Sequence, residues 1–569
     1  MARCFLTGSV QRVAWRLRRG GSARSAGRGT RRVRVLAALL ALLAPVGCSP
    51  TMQVPEIGRI SRSTGYRAPN MGRTPGEEPA LPGKYVVLAF SGGGTRAAAL
   101  AHGVLRELEA TPAPTAPGLT LLEGVDMISS ASGGSVAAAN YVVHGREGYR
   151  RLDRQDGFLR HDGMVELVGG VLLAAPFYAV AEASRIELLS AMMARKVVGE
   201  VRYRDLFAAK AARRPFLVLN AADMASGERF PFTQDQLDLL CLDLGEVRVA
   251  VAIAASAAFP GALTPLPLND RSPCPAQMEK GGREVAERTL LEAGMRFDLG
   301  QAECDRRRAE PLQTKELTFR SRGMRQYRLL NVDGCGAELP PGDPRRVGSV
   351  HLLDGGIADN LGLAGPLETL TVQGDDHRVT RAMRRGQVTE VVVVAVNARS
   401  QPDSTVGRDG RTPGVFSMVW ATIGSAIDAR SGGLVAQLGV LRDLVRGRTP
   451  GREVRVTTIP VDFELIHDAG CRAAFQGIAT TWALSLAEVE ALQEVASAML
   501  RANDDYLRLA GVPEGPTREA ARLAGQARAH RACLRLQGSE GAPAGPPVFG
   551  PPPSPAPQMV TSPPASSPG

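Results

Sequence analysis

Three consecutive glycines are the first feature of the sequence that could take part in chemistry. Gly92, Gly93 and Gly94 stand in the run Phe90-Ser-Gly-Gly-Gly-Thr-Arg96, between an apolar segment and a stretch of helical period. Consecutive glycines let the backbone turn sharply and point several N–H groups at one spot. The N-terminus of the following helix adds positive potential there. The loop is therefore predicted to bind negative charge, either a resident phosphate or an oxyanion formed during a reaction.

A serine between small residues marks a second strand-to-helix transition. It is Ser132, in the run Ser129-Ser-Ala-Ser132-Gly-Gly134-Ser135. A nucleophile on a tight strand–turn–helix elbow needs tiny neighbours, because the turn is strained and its flanks pack closely. The usual pattern is Gly-x-Ser-x-Gly, and here Ser130 replaces the first glycine while Gly134 supports the turn. The alternative is an ordinary serine at a helix N-cap.

A carboxylate stands at a third such transition. In Leu353-Asp354-Gly355-Gly356 the aspartate follows an apolar pair and precedes two glycines. Such a carboxylate is freely oriented, and Gly355 and Gly356 let another backbone or side chain approach it. The alternative is a simple Asp-Gly turn.

Alternating strands and helices are predicted to position these three segments. The predicted buried strands are 84–90, 124–129, 350–353 and 388–396, the predicted helices are 95–110 and 134–143, and further elements are expected at 215–221 and 248–254. Strands separated by helix-length segments predict an α/β fold with a central, mostly parallel sheet flanked by helices.

The glycine loop, the elbow serine and the Asp-Gly-Gly turn, in this order, resemble the patatin-like phospholipase family. Ala252-Ile-Ala-Ala-Ser256-Ala-Ala-Phe259-Pro260 is similar to the family's Ala-Ser-x-Ala-x-Pro block, and Asn220-Ala-Ala-Asp223-Met-Ala-Ser-Gly227 to its strand-turn segment. Asp354-Gly-Gly-Ile-Ala-Asp-Asn360-Leu-Gly362 resembles Asp-Gly-Gly-x-x-x-Asn-x-Pro, with glycine in place of the final proline. The resemblance covers about residues 84–366.

The resemblance implies a three-layer α/β hydrolase of lipid esters that uses a Ser-Asp dyad without histidine. Ser132 would be the nucleophile and Asp354 the base, and neither a cofactor nor a metal is implied. The glycine loop would supply the oxyanion hole, with electrostatic support from Arg96. A carboxyl with an ordinary pKa of about 3.9 is a weak base for an alcohol, so the pKa of Asp354 would have to be raised by burial or by a neighbour.

Three alternatives compete with the dyad. A Ser-His-Asp esterase of the α/β-hydrolase type has its triad in the chain order Ser, Asp, His. The histidine would therefore follow Asp354, which leaves His377 or His467 as the base. A nucleotide-binding module would use Gly92-x-Gly94-x-x-Ala97, which fits the loose dinucleotide pattern. The third alternative is a non-catalytic envelope lipoprotein.

The positive charge of the chain is concentrated near its start. There are 68 Lys+Arg against 57 Asp+Glu, a net charge of +11, but ten arginines lie between Arg3 and Arg34 and the first acidic residue is Glu56. Without those ten arginines the balance is 58 to 57. Nucleic-acid binding driven by overall charge is therefore excluded. The family resemblance and the leader described below imply a phospholipid or other lipid ester and a membrane surface as partners.

The leader indicates export. A basic region is followed by the apolar stretch Val35–Ala44, which is far shorter than the roughly 20 residues needed to span a bilayer. This predicts a signal peptide over 1–47. Ala44-Pro-Val-Gly-Cys48 resembles a bacterial lipoprotein cleavage site, with Pro45 where an aliphatic residue is preferred. Lipidation of Cys48 would anchor the protein stably to the cell envelope; the alternative is an ordinary signal peptide.

The remaining segments complete the predicted organisation. The predicted parts are a tether over 48–82, a catalytic domain over 83–400 with an insertion at 267–347, a mainly helical region over 401–540 packed on the core, and a Pro-rich disordered tail over 541–569. Amphipathic helices are expected at 413–447 and 485–511, and the apolar segment 164–181 is either a buried helix or a lipid-facing surface. Six cysteines are disulfide candidates without a predicted pairing: Cys241, Cys274, Cys304, Cys335, Cys471 and Cys533.

Overall fold

A computed structural model describes the parts of the chain that carry the sheet and its flanking helices. The described residues are 51–58, 65–67, 81–154, 157–160, 185–208, 214–260, 263–271, 348–371, 378–400 and 451–538, with single positions between 424 and 449. The predictions for the signal peptide, Cys48, segment 164–181, His377, insertion residues 272–347 and the tail lie outside the described residues, as does most of 413–447.

Eight strands of the described residues form one sheet. Their bounds are β1 (Gly83–Phe90), β2 (Met127–Ala131), β3 (Phe216–Asp223), β4 (Arg229–Pro231), β5 (Leu266–Asn269), β6 (Ser349–Asp354), β7 (Val388–Asn397) and β8 (Arg455–Asp462). The order across the sheet is β5-β6-β3-β2-β1-β7-β8, with β4 paired to β3. The strands β3, β2, β1, β7 and β8 are parallel, which confirms the mostly parallel sheet.

The direction of β6 differs from the expectation for a parallel strand. It runs antiparallel to β3, and β5 runs antiparallel to β6. A short apolar run such as Leu352-Leu353 carries no information on strand direction, so the sequence could not reveal this. The first residues assigned to the insertion also belong to the sheet, because Pro267, Leu268 and Asn269 lie in β5.

Helices cover both faces of the sheet. Within the described residues they are α1 (Gly94–Ala110), α2 (Gly133–Gly148), α3 (Arg185–Met193), α4 (Tyr203–Ala208), α5 (Gln234–Asp238), α6 (Val249–Ser256), α7 (Gly356–Asp359), α8 (Ala364–Thr371), α9 (Arg378–Arg384), α10 (Ala469–Gln476), α11 (Leu486–Arg501), α12 (Asp504–Leu509) and α13 (Pro516–Gln537). Alternate residues of β7 face the two sides. Val392 and Val394 pack with α1 and α11, whereas Val391 and Val393 pack with α8 and α9. The result is three layers, with no helix in the described part long and apolar enough to cross a bilayer.

The C-terminal region is part of the same fold. The strand β8 extends the sheet next to β7, so the sheet does not end at the predicted boundary of residue 400 and the region beyond it is not only helical. The predicted helix at 485–511 is two helices, α11 and α12, because the side chain of Asn503 caps the second. A disulfide between Cys471 and Cys533 joins α10 to α13.

The segment before β1 is packed on the domain. Met52 pairs with Leu268 at the edge of the sheet, and Val54 is buried. Arg67 is also buried and forms ion pairs with Asp235 and Asp238. The prediction of a tether over 48–82 is therefore wrong for residues 51–58 and 65–67, because strand-like pairing and a buried ion pair fix them.

Candidate active site

Ser132 lies on a sharp elbow between β2 and α2. Its φ of 49° and ψ of −123° place it in a region that non-glycine residues rarely adopt. The small neighbours are required by contacts: a Cβ added to Gly133 would lie 1.9 Å from the carbonyl oxygen of Gly94, and one added to Gly134 would lie 2.6 Å from that of Ser91. The elbow and the glycine loop are thus pressed together with no room for side chains.

Asp354 meets Ser132 across the sheet. The Ser132 hydroxyl donates to Oδ2 of Asp354 over 2.7 Å, and both side chains are buried. Strand register explains the meeting, since Ala131 pairs with Asn220 on β3 and Ala221 pairs with Asp354. The two residues therefore stand at the same level, at the ends of the two strands that flank β3.

The glycines after Asp354 let it occupy this position. A Cβ on Gly355 would lie 2.0 Å from the carbonyl oxygen of Asn220. The N–H of Gly356 donates to Oδ1 of Asp354 over 2.8 Å, which orients the carboxylate with Oδ2 toward Ser132.

Burial gives Asp354 the character of a base. It raises the pKa of the Asp354 carboxyl to about 6, against the opposing effect of the hydrogen bonds from Gly356 and Ser132. A carboxylate with this pKa is ionised near neutral pH and accepts a proton more readily than an exposed aspartate.

The glycine loop presents two free backbone donors. Gly93 and Gly94 have φ values of 135° and 59°, which glycine adopts readily. In the described part of the chain their N–H groups have no acceptor, and Gly94 begins α1. The expectation for Gly92 is wrong, because its N–H already donates to the carbonyl oxygen of Asn360 over 2.8 Å.

Arg96 is buried behind the glycine loop and bonds to backbone carbonyl groups there. Its Nε donates to the carbonyl oxygen of Ala398 over 2.8 Å and its Nη1 to that of Ile478. Burial lowers the pKa of Arg96 to about 10. A Cβ on Gly93 would lie 3.2 Å from its Nη2, so the positive charge lies directly beside the loop.

The C-terminal region also touches the loop, which sequence reasoning missed. The N–H of Thr95 donates to the carbonyl oxygen of Thr481 over 2.9 Å. A Cβ on Gly94 would lie 2.6 Å from the same oxygen. Nothing in the sequence signals this contact, because it joins backbones almost 400 positions apart.

Ser256 is the second residue that sequence reasoning left without a role. It was visible only as part of the Ala-Ser-x-Ala-x-Pro resemblance, yet it contacts the backbone next to both Ser132 and Asp354. The N–H of Ser132 bonds its hydroxyl oxygen, and the N–H of Gly355 bonds its carbonyl oxygen.

The histidines do not join this pair within the described residues. Ser132 bonds Asp354 directly, so no imidazole stands between them as a Ser-His-Asp triad requires. His467 has no bond to either residue. His102 is buried against the carbonyl of Tyr149 and the side chain of Gln493, and burial lowers its pKa to about 4.

Comparison with known proteins confirms the family resemblance for part of the chain. Residues 88–281 match the family model of the patatin-like phospholipases. The matched residues include the glycine loop, Ser132 and Ser256, whereas Asp354 lies beyond them. For these residues the match supports the α/β fold of that family.

One solved structure similar to the chain is the human GIVD cytosolic phospholipase A2. The two are 12% identical with a TM-score of 0.27, and the match covers 57% of this chain and 47% of that chain. The chain therefore spans about half the length of this solved structure. No curated protein sequence matches the chain.

Proposed function

We propose that the chain is a lipid acyl hydrolase, of the phospholipase A or lysophospholipase type, that cleaves carboxylic esters with Ser132 as nucleophile and Asp354 as base. The observation that carries the proposal is the 2.7 Å hydrogen bond from the Ser132 hydroxyl to Asp354, on an elbow with strained backbone. A buried serine and carboxylate in direct contact form a nucleophile with its base. The family match supports a lipid as the substrate.

In the first step Ser132 Oγ attacks the ester carbonyl carbon and its proton passes to Oδ2 of Asp354. The carbonyl oxygen becomes an oxyanion that accepts hydrogen bonds from the N–H groups of Gly93 and Gly94. The positive charge of Arg96 beside the loop adds electrostatic support. One such donor is worth about 3 kcal/mol of transition-state stabilisation. The ester C–O bond then breaks, and the departing alcohol or lysophospholipid takes the proton from Asp354.

In the second step a water molecule gives a proton to Asp354 and attacks the acyl group on Ser132. The oxyanion forms again at Gly93 and Gly94. When the acyl C–O bond breaks, the fatty acid leaves and the proton returns from Asp354 to Ser132 Oγ. The dyad is regenerated without a cofactor.

We also propose that the protein is exported and anchored through a lipidated Cys48. Three residues separate Cys48 from Met52, whose N–H donates to the carbonyl oxygen of Pro267 over 2.7 Å. Four residue steps span at most about 14 Å. An acylated Cys48 would thus hold the domain directly at the membrane, where a lipid substrate lies.

The first experiment is labelling of the full chain with a fluorophosphonate probe, together with hydrolysis of a phosphatidylcholine vesicle. Ser132→Ala is expected to abolish both labelling and hydrolysis. Ser190→Ala is the matched control, because it removes another buried hydroxyl, one without a hydrogen-bond partner among the described residues. Labelling that persists in Ser132→Ala would rule out Ser132 as the nucleophile.

A further inference from the structure

Ser256, the last residue of α6, holds the backbone of the strained serine. The N–H of Ser132 points at Ser256, with the hydroxyl oxygen 2.9 Å away and the carbonyl oxygen 3.1 Å away. A backbone like that of Ser132 costs about 1–3 kcal/mol and persists only when its surroundings fix it. Ser256 supplies two acceptors at the amide of the strained residue itself.

The single proton of the Ser256 hydroxyl is committed elsewhere. The hydroxyl oxygen lies 2.6 Å from the carbonyl oxygen of Asn220. Because a carbonyl oxygen can only accept, the hydroxyl proton points toward it. The hydroxyl oxygen therefore acts as acceptor for the N–H of Ser132 and for the hydroxyl of Ser135, 2.9 Å away. Ser135 in turn accepts from Ser130 over 3.1 Å. The three buried serine hydroxyls therefore donate in one direction, from Ser130 to Ser135 to Ser256 and on to the carbonyl oxygen of Asn220.

Ser256 also reaches the other half of the pair. Its carbonyl oxygen accepts the N–H of Gly355 over 2.9 Å, directly after Asp354. Two residues further on, the carbonyl oxygen of Ala258 accepts the N–H of Asp354 over 3.0 Å. The end of α6 is thus bonded to the backbone of both Ser132 and Asp354.

We propose that Ser256 is a positioning residue, whose hydroxyl and carbonyl groups set the separation of the Ser132 and Asp354 side chains. The inference rests on the proposed function, in which these two side chains exchange a proton. Removal of the hydroxyl leaves the buried carbonyl of Asn220 without this donor and Ser132 with only the longer of its two bonds. A displacement of 1 Å in a reacting group costs about 100-fold in rate.

The test uses the full chain with Ser256→Ala, Ser256→Cys and Ser135→Ala. In Ser256→Ala we expect kcat for a soluble ester, and the rate of fluorophosphonate labelling, to fall about 100-fold with KM unchanged. Ser256→Cys is expected to lie between Ser256→Ala and wild type, because sulfur is a weaker acceptor. Ser135→Ala keeps the bond between Ser256 and Ser132 and is expected to stay near wild type.

The pH profile separates positioning from a general loss of structure. The bond from Ser132 lowers the pKa of Asp354. A weaker bond in Ser256→Ala should therefore raise this pKa and move the acidic limb of kcat/KM to higher pH. A smaller fraction of folded protein would lower the rate at every pH without moving the limb.

The outcomes distinguish this inference from the proposed function. A wild-type chain that neither hydrolyses esters nor reacts with the probe rejects the function itself. A reactive wild type with an equally reactive Ser256→Ala overturns the positioning role, as does an equal loss in Ser135→Ala. If Ser256→Ala does not fold, wild-type kcat in Ser256→Cys overturns it.

Discussion

Oγ of Ser132 lies 2.7 Å from Oδ2 of Asp354, although the two stand 222 positions apart in the chain. The antiparallel run of β6 produces this contact, because it directs the carboxyl end of β6 back toward the level where β2 ends. The residues on either side of 272–347 are held together before β6 begins, since the N–H of Asp270 donates to the carbonyl oxygen of Gly348 over 3.2 Å.

Replacement of Asp354 by asparagine should remove the base while keeping the shape of the side chain. We expect kcat for ester hydrolysis to fall about 10²- to 10⁴-fold, the usual contribution of a positioned general base. Steady-state kinetics with a soluble ester measure this, with thermal unfolding as a check that the fold is intact. Asp354→Asn with wild-type kcat would show that another group takes the proton.

The pH dependence follows from the raised pKa of Asp354. Only the ionised carboxylate accepts the proton of Ser132, so kcat/KM should fall as the pH drops below about 6, by about tenfold per pH unit. The measurement is kcat/KM of the wild-type chain between pH 4 and pH 8 with a substrate that does not titrate in this range. An acidic limb near the ordinary aspartate pKa of about 3.9 would mean that burial does not tune this carboxyl.

The sequence indicated the proposed reacting residues more clearly than the contacts that hold them. Ser132 and Asp354 are visible because an elbow and an Asp-Gly-Gly turn require small residues at fixed spacing. The strands β1 and β7 are visible because buried parallel strands are continuous apolar runs. Strand direction, in contrast, leaves no trace in a run as short as that of β6.

The supporting contacts depend on the tertiary fold. Arg96 has the pattern of a surface arginine in a first helical turn, and its burial depends on the carbonyl groups of Ala398 and Ile478, which are distant in sequence. Gly92 is indistinguishable from its neighbours by type, and only the position of Asn360 removes its N–H from the proposed oxyanion hole. Backbone acceptors carry no residue signature, so sequence patterns cannot predict them.

The close contact between Gly94 and Thr481 predicts a large effect of a small side chain. In Gly94→Ala the new Cβ would lie 2.6 Å from the carbonyl oxygen of Thr481, and the loop must shift. We expect kcat to fall about 100-fold or more, since one misplaced oxyanion donor costs about that much.

Gly118→Ala is the matched control for backbone strain. Gly118 also has a positive φ, of 86°, but a Cβ there would have no atom within 4 Å. The Gly118→Ala substitution should lower the free energy of unfolding by about 1–2 kcal/mol and leave kcat unchanged. An equal kcat in both variants would show that Gly94 is not in the oxyanion hole.

Anchoring through Cys48 predicts a separation of location from chemistry. Cys48→Ser should move the protein from the membrane fraction to the soluble fraction while hydrolysis of a soluble ester is retained. Hydrolysis of vesicle lipid at low protein concentration should decrease, because the short span to Met52 no longer holds the domain at the membrane. Membrane association and acyl labelling that are unchanged in Cys48→Ser would refute the anchor.

The disulfide between Cys471 and Cys533 should contribute strongly to stability, because it closes a segment with a sequence separation of 62. By the chain-entropy relation a loop of this length stabilises the folded state by about 4 kcal/mol. The double variant Cys471→Ser/Cys533→Ser, measured by denaturant unfolding, should lose an amount of this order. Because α10 directly precedes the segment that contacts Thr95 and Arg96, kcat should also decrease at denaturant concentrations well below the unfolding midpoint. A stable variant with full kcat would show that the C-terminal region holds the oxyanion loop without help from this bond.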